Sequence, residues 1–478
     1  MPNCSIGMAA MRSCSGLAPS NPVPDPLWRF PMLSNPDHQV LARDGKLSGL
    51  ALLLDENRAL SVLSGAWPQH RLEALTTTYL SYKPSVRCLA GYLGQTPDGP
   101  LLLHAKAYAA EEYARVRVAA AQDPSEGSAS APYLLDDSCI AAWLFPTDRK
   151  LVGLSDLASP ETRARWLRKR LPDEPALWGA RLETLRYKPE RRYVGKLTAT
   201  DRAEAVVKVY DPWDFENAWR AAKAVRTWTV REPLIVSQPL GRSKGRRFIV
   251  SQWLAGEPLN EWLLDTDCSA HHLHEVGAAL AEFHRQAPGD LVQVTREDEG
   301  MAVLVAANAA AWLCPDLAQR LRRLATRIAA ELLAEPVEQC PIHGDFSADQ
   351  VLVAAHGIGI IDYDQTRLGD PAADFGTFIA QLERNEVCGT LPAGRAGEIA
   401  EALIGGYCHQ ARCAQPSKTD LYVAAGLLRL APHGFRNRLA DWPTHIENVL
   451  QRAEEFFRAY SQRARVATPI GAGGRFSA

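Results

Sequence analysis

The stretch "IHGDFSADQVLV", residues 342–353, sets a polar loop directly before an apolar triplet. Val351, Leu352 and Val353 run into "AAHG" and then "IGII" at 358–361, which ends at Asp362. Two short apolar runs about a glycine-ended turn predict a β-hairpin with its turn centred on Ala355 to Gly357. An antiparallel register about that turn sets Val351 opposite Ile361 and Gln350 opposite Asp362, with Cβ atoms about 5 Å apart. An amide oxygen and a carboxylate at that separation form a clamp for a hard cation such as Mg²⁺, which takes oxygen ligands and completes its shell with water and phosphate oxygens. Asp345 precedes the clamp by a few residues, where a carboxylate accepts the proton of an attacking hydroxyl or, more plainly, caps a turn. His343 is expected to brace the loop through hydrogen bonds, and Gly344 to supply tight backbone geometry.

Downstream, "RLGDPAADFG" at 367–376 reads as a Gly-Asp-Pro turn followed by a helix with Phe375, Phe378, Ile379 and Leu382 on its apolar face. Asp374, at the mouth of that helix, can cap it or reach back to the His-Gly-Asp loop, and the two roles are compatible. Asp364 is either a further ligand on the metal side or a solvated loop residue.

His343, Gly344, Asp345 and Gln350, the hairpin ending at Asp362, and the trailing Gly369, Asp370 and Asp374 resemble the signature of the aminoglycoside phosphotransferase and choline kinase family. The resemblance spans roughly residues 180–460. It implies an α+β, protein-kinase-like two-lobed fold, and transfer of the γ-phosphate of ATP (or GTP) to a hydroxyl of a small molecule with Mg²⁺ as cofactor. It makes Asp345 the catalytic base, Gln350 and Asp362 the metal ligands, and Asp374 the structural carboxylate, with His343 supporting the loop. Lys208, at the end of the strand-like "EAVVKVYDP", matches the lysine that holds nucleotide phosphates, and a solvent-facing lysine on a half-buried strand is its plain alternative. Its carboxylate partner is expected from the next helix, with Glu216 preferred and Asp214 second. "FIVSQWL" at 248–254 matches the hinge, so Gln252, Trp253 and Leu254 are expected to meet adenine.

Two features depart from that pattern. Gln350 stands where the family has Asn, keeping the amide oxygen and adding one methylene. The maltokinase branch is similar in carrying Gln there and in having an N-terminal cap. No glycine-rich loop lies between the first two strands; "YKPERRYVGKL" is basic, and Lys188, Arg191 or Arg192 is expected to contact phosphates instead.

Self-comparison extends the organisation upstream. "LSYKPSVRCLAGYL" at 80–93 and "LRYKPERRYVGKLT" at 185–198 share Tyr-Lys-Pro and an arginine three residues on, Arg87 and Arg192. Each leads to a strand ending in Lys-x-Tyr, "LLLHAKAY" and "AEAVVKVY", then a helical stretch and a further strand pair. The matched order predicts two copies of one strand-strand-strand-helix-strand-strand unit. The expected organisation is a disordered leader over 1–40, a cap resembling a duplicated small lobe over 41–178, a kinase-like small lobe over 179–255, a helical lobe over 256–465 and a flexible tail over 466–478. Lys106 matches Lys208 within the cap.

Helical periodicity is expected over 272–284, with Leu273, Val276, Leu280 and Phe283 on one stripe, over 303–334 and over 397–460. With 53 Lys and Arg against 55 Asp and Glu, nothing in the total charge recommends nucleic acid or an acidic membrane as a partner. The basic run from Arg163 to Arg170 reads as a solvated helical face. Ten scattered cysteines without a Cys-x-x-Cys pair read as reduced thiols, and no apolar run has membrane length, so a soluble cytoplasmic protein is expected. A small-molecule phosphotransferase is the leading expectation, and a catalytically silent nucleotide-binding or scaffolding module is the alternative. Glu383 and Glu386 are candidates to greet a cationic acceptor.

Overall fold

The computed structural model describes residues 32–122, 131–264, 270–336, 338–414 and 416–467. Two five-stranded antiparallel sheets dominate its first half. One runs in the order Ala74–Lys83, Arg87–Gln95, Leu101–Tyr108, Ile140–Leu144, Tyr133–Leu135, and the other in the order Arg181–Lys188, Arg192–Thr198, Glu204–Tyr210, Phe248–Gln252, Pro239–Ser243. Strand order is the same in both, and each third strand is followed by a helix, Ala110–Ala121 in the first and Pro212–Val225 in the second.

The likeness begins earlier than the Tyr-Lys-Pro segments. "DGKLSGL" from Asp44 to Leu50 and "DRKLVGL" from Asp148 to Leu154 precede the two sheets, and their aspartates do the same work. Asp44 accepts hydrogen bonds from the Tyr82 hydroxyl at 2.7 Å and the Ser85 backbone N–H at 2.8 Å. Asp148 accepts them from the Tyr187 hydroxyl at 2.9 Å and the Glu190 backbone N–H at 2.8 Å. Ser85 and Glu190 both adopt positive φ, 58° and 56°, at the tips of their hairpins. A carboxylate bonded to that backbone N–H stabilises a turn that a side-chain-bearing residue enters at a cost. The helices Leu154–Ala158 and Pro160–Arg170 bury Leu154, Leu157 and Leu167 in one cluster with Tyr193, Val207 and Val250 of the second sheet.

The first sheet touches both of the other parts. Against the second sheet, Gly91 leaves room for Pro189, whose Cγ would stand 3.0 Å from an added Cβ. Lys106 donates to both carboxylate oxygens of Glu190, at 2.8 and 2.7 Å. Against the helices, Tyr82 packs on Phe435 with ring centroids 5.7 Å apart and accepts from Trp312 Nε1 at 3.2 Å. Residues 32–40 are not part of a leader: the helix Asn35–Arg43 starts on a Ser34–Asp37 capping box, and buried Asp37 takes both terminal nitrogens of Arg438 at 2.9 and 2.8 Å. One carboxylate that serves both the cap and a partner 401 residues away orders this segment. The remainder of the expected leader, residues 1–31, lies outside the described residues, as do residues 468–478 of the expected tail.

Helices fill the second half. Leu273, Val276, Leu280 and Phe283 are buried along Ala270–His284 as their spacing requires. The periodic stretch 303–334 is two helices, Arg296–Leu313 and Ala318–Ala334, because Pro315 cannot continue the first. The stretch 397–460 is four, Arg395–Ala411, Thr419–Leu430, His433–Arg436 and Trp442–Ala467, with Pro416 and Pro432 between the first three. Among the described residues no helix is long and apolar enough to cross a membrane.

Between sheet and helices lies the expected hairpin, Val351–Ala354 with Gly357–Ile360. Its register is one residue tighter than expected. Val351 pairs with Ile360 and Ala354 with Gly357, so the turn is the two-residue Ala355-His356, and Gly357 at φ 140° closes it. Gln350 therefore faces Ile361, whose N–H donates to the Gln350 carbonyl at 2.9 Å, and Asp362 lies one step beyond.

Candidate active site

The His-Gly-Asp loop is built around Asp374. Its fully buried carboxylate accepts from the backbone N–H of His343 at 2.7 Å and of Gly344 at 2.8 Å, and bonds His284 Nε2 at 3.0 Å. Burial would raise its pKa, but His284 and the backbone donors hold it below the usual carboxylate range. Gly344 has φ 80°, and a Cβ there would stand 2.6 Å from the Gln365 carbonyl, so only glycine fits. His343 Nε2 bonds the Ile361 carbonyl at 2.8 Å, which requires the proton on Nε2 and leaves Nδ1 to accept the Asp345 N–H at 3.4 Å. The histidine thus ties the loop to the end of the hairpin.

Asp345 itself is open to solvent. Its carboxyl is pushed up by the surrounding protein and by the nearby charge of Asp362, and drawn down by His343.

After the hairpin the chain turns sharply at Asp362, a non-glycine residue with φ 59°. The turn brings Asp362 and Asp364 to the same pair of cations. Arg192 is bidentate on Asp362, Nη1 to Oδ1 at 2.8 Å and Nη2 to Oδ2 at 2.9 Å, and Nη1 also reaches Asp364 at 3.0 Å. Lys208 Nζ donates to Asp362 at 2.8 Å and to Asp364 at 3.1 Å. Burial alone would raise the Asp362 carboxyl, yet Arg192 and Lys208 hold it well below the usual range. Asp364 is pushed upward, chiefly by burial and in part by Asp362. Two carboxylates and two cations form a closed set without external charge.

Glu216 does not enter this set. It lies on the exposed face of the helix Pro212–Val225, whose Ala218 and Ala222 line the cleft instead. Asp214 is taken up by Arg191 at 3.7 Å. The partners of Lys208 come from the segment after the hairpin because a helix offering alanine methyls there leaves the ammonium to Asp362 and Asp364.

A cleft of about 220 Å³ runs from these charges to the segment joining sheet and helices. Val194, Val206, Ile249 and Leu352 form apolar walls, while Gln252, Trp253 and Leu254 lie along its edge. The Gln252 carbonyl is occupied by the Ser237 hydroxyl and its N–H by the Gln238 carbonyl. Among the described residues the backbone groups of Trp253 and Leu254 make no such hydrogen bond. Lys196 Nζ stands 4.2 Å above the Trp253 ring.

Gln350 also lines the cleft, and its amide N–H donates to Asp349 at 3.3 Å, leaving the amide oxygen without a hydrogen bond. Among the described residues no group of three or more His, Cys, Asp or Glu is arranged to hold a metal ion. Asp362, Asp364 and the Gln350 oxygen are nonetheless all hard oxygen donors at one end of the cleft, and they fit Mg²⁺ once Arg192 releases Asp362. The expected cation-greeting glutamates face elsewhere: buried Glu383 binds Arg452 at 2.6 Å, and Glu386 accepts the Ala396 N–H.

The role of Arg192 as a partner of the metal-side carboxylates was not legible as such. Its place three residues after Tyr-Lys-Pro marked it, but an arginine opening a strand carries no mark of a partner 170 residues away.

Residues 190–414 match the model of the phosphotransferase enzyme family, APH. The resemblance carried by His343, Asp345 and Asp362 is thereby met over that span. Solved structures similar to this chain include a choline kinase from Cryptosporidium parvum Iowa II, 10% identical with a TM-score of 0.46, covering 64% of this chain and 97% of that one. A choline/ethanolamine kinase family protein from Mesorhizobium loti is 16% identical with a TM-score of 0.43 over 64% of this chain and 97% of its own. The ADP-bound aminoglycoside phosphotransferase APH(2'')-Ib is 17% identical with a TM-score of 0.42, covering 58% and 94%. No curated protein matches the chain.

Proposed function

We propose that this chain, whose residues 190–414 match the phosphotransferase enzyme family, transfers the γ-phosphate of ATP to a hydroxyl of a small molecule. The observation that carries it is the convergence, at one end of an apolar cleft, of Lys208, Asp362, Asp364 and Gln350, with the solvent-open Asp345 on the adjoining loop. The apolar walls and the free backbone groups of Trp253 and Leu254 suit adenine. Lys208 and Arg192 suit phosphate oxygens, being the cations nearest the two aspartates.

Bound Mg²⁺, held by Asp362, Asp364 and Gln350, would neutralise charge on the β- and γ-phosphates. Asp345 takes the acceptor's hydroxyl proton as the oxygen–phosphorus bond forms, and the bond from the γ-phosphorus to the bridging oxygen breaks to release ADP. Its raised pKa makes it a better proton acceptor than an ordinary carboxylate. His343 and Asp374 hold the loop so that this carboxylate faces the acceptor.

The bidentate Arg192–Asp362 pair favours a second possibility, a silent nucleotide-binding module in which an arginine permanently replaces the metal. Both are tested by ADP release across a panel of hydroxyl compounds with wild type, Asp345→Asn and Asp362→Ala. Turnover lost in both variants supports the kinase. Nucleotide binding without turnover by the wild type on any acceptor supports the silent module.

A further inference from the structure

The first strand of the second sheet, Arg181–Lys188, carries one residue too many for its partner. Thr184 pairs with Gly195, yet the next pair is Arg186 with Val194, so Leu185 bulges out of the ladder. An unbroken ladder would set Arg186 against Tyr193, whose ring is buried on the far face among Leu167, Val207 and Val209. A slip of one residue exchanges the faces of a strand, and here it turns the guanidinium away from that core.

Across the sheet, Arg186 pairs with Val194, Val194 with Lys208 and Lys208 with Ile249. Opposed residues share a face, and all four line the same cleft. Strand spacing sets the Cα atoms of Arg186 and Lys208 about 10 Å apart, with only the short Val194 side chain between them. Along the sheet, this row stands three residues, about 10 Å, beyond the pair Gln252–Ala205, next to which Trp253 and Leu254 edge the cleft. The pair Lys188–Arg192 lies two residues further on.

The charges along this wall are unequally occupied. In the empty protein Lys208 and Arg192 are engaged by Asp362 and Asp364. Asp349, the other carboxylate lining the cleft, takes the Ser347 hydroxyl and the Gln350 amide. Arg186 is half-buried, yet its side chain makes no hydrogen bond or ion pair among the described residues. Burial and the like charge of Arg192 both disfavour its charged form. A guanidinium so placed destabilises the empty protein, and a bound anion relieves it.

We infer that Arg186 binds the phosphate chain of the nucleotide, supplying from the first strand the contact that a glycine-rich loop would otherwise make. This rests on the kinase assignment above and adds a residue to it. A triphosphate with one Mg²⁺ still carries net negative charge, while the two aspartates already balance Lys208 and Arg192. Among the described residues lining the cleft, Arg186 is the remaining cation. Its planar fork takes two phosphate oxygens at once, so it orients the chain as well as holding it.

The experiment titrates ATP, ADP and adenosine, each with Mg²⁺, into the full chain by calorimetry and follows ADP release with the panel of hydroxyl compounds. Arg186→Gln should weaken ATP and ADP by roughly tenfold and leave adenosine unchanged, because the base and ribose do not meet the guanidinium. KM for ATP should rise by a similar factor, and Arg186→Lys, which keeps the charge, should recover part of the loss. Unchanged ATP and ADP affinity in Arg186→Gln overturns the inference and leaves the kinase assignment standing. Adenosine binding lost in step with ATP, together with a lower melting temperature, assigns Arg186 to the fold and also overturns it. Nucleotide binding by a wild type without turnover, weakened in Arg186→Gln for ATP and ADP alone, supports the contact while removing the kinase assignment. Absence of nucleotide binding by the wild type overturns both.

Discussion

Lys106, in the first sheet, donates through its ammonium to both carboxylate oxygens of Glu190, at the tip of the second sheet's first hairpin. Lys106 is the counterpart of Lys208 in the duplicated strand pattern, so one lysine faces the metal-side aspartates and the other grips the turn two residues before Arg192. Both members of the pair are buried. Lys106→Met removes one partner and leaves Glu190 with only Lys150, at 3.4 Å; a loss of about 3 kcal/mol in urea unfolding is expected. The double variant Lys106→Met with Glu190→Gln should recover most of it. Equal destabilisation in single and double variants would show that the pair has no coupling.

Arg192 competes with any metal for Asp362. Arg192→Ala should bind Mn²⁺ more tightly than wild type in the absence of nucleotide, because the resident cation is gone. The same variant should show a higher KM for ATP, since a guanidinium released from Asp362 is the nearest group to meet phosphates. An unchanged Mn²⁺ affinity by calorimetry would remove the competition, and an unchanged KM would remove the phosphate contact.

Gln350 contributes an oxygen through a side chain one methylene longer than Asn. Gln350→Ala should raise the Mg²⁺ concentration for half-maximal activity more than tenfold with little change in thermal stability, since its amide makes a single hydrogen bond, to Asp349. A Mg²⁺ dependence equal to wild type would exclude it as a ligand.

Lys188, with a pKa of about 7 set by burial and by Arg186, Arg192 and Arg191 against the opposing charge of Asp362, is half-charged near neutrality. Its folded pKa lies below the unfolded value of 10.5, so the folded state binds fewer protons between pH 7 and 10.5 and stability rises with pH across that window. Urea unfolding measured from pH 7 to 10 should show that rise, and Lys188→Met should flatten the profile. A profile unchanged in that variant would assign the pH dependence elsewhere.

Removal of residues 1–145 would strip Asp37 from buried Arg438 and Trp442, and Tyr82 from Phe435. The truncated chain should melt at least 10 °C lower or fail to accumulate in soluble form. A melting temperature equal to the full chain would show that these contacts are dispensable.

The parts of this molecule governed by local rules were legible. Tyr82 and Tyr187 stand at matched places in two sheets of one strand order, and Phe375, Phe378, Ile379 and Leu382 are buried as a helical stripe demands. Asp374 reaches back to the His-Gly-Asp loop because its position at the helix mouth leaves few other donors. Distant pairings were not legible. No periodicity tells Lys208 to prefer Asp364 over Glu216, since that depends on alanines at 218 and 222 facing the cleft. The hairpin register slipped by one because Ala355-His356 closes a two-residue turn that composition does not distinguish from three.

The first sheet is fastened to the second through Lys106 and Glu190 and to the helices through Tyr82, and the helix Asn35–Arg43 before it adds Asp37 and Arg43 to the second attachment. It therefore acts as a strut alongside the segment at Trp253 and Leu254 that leads from the second sheet to the helices, tying the three parts into a braced triangle. The second sheet and the helices cannot part as two free bodies unless one end of the strut detaches. The brace thereby holds Arg192, on the second sheet, at a set distance from Asp362 and Asp364.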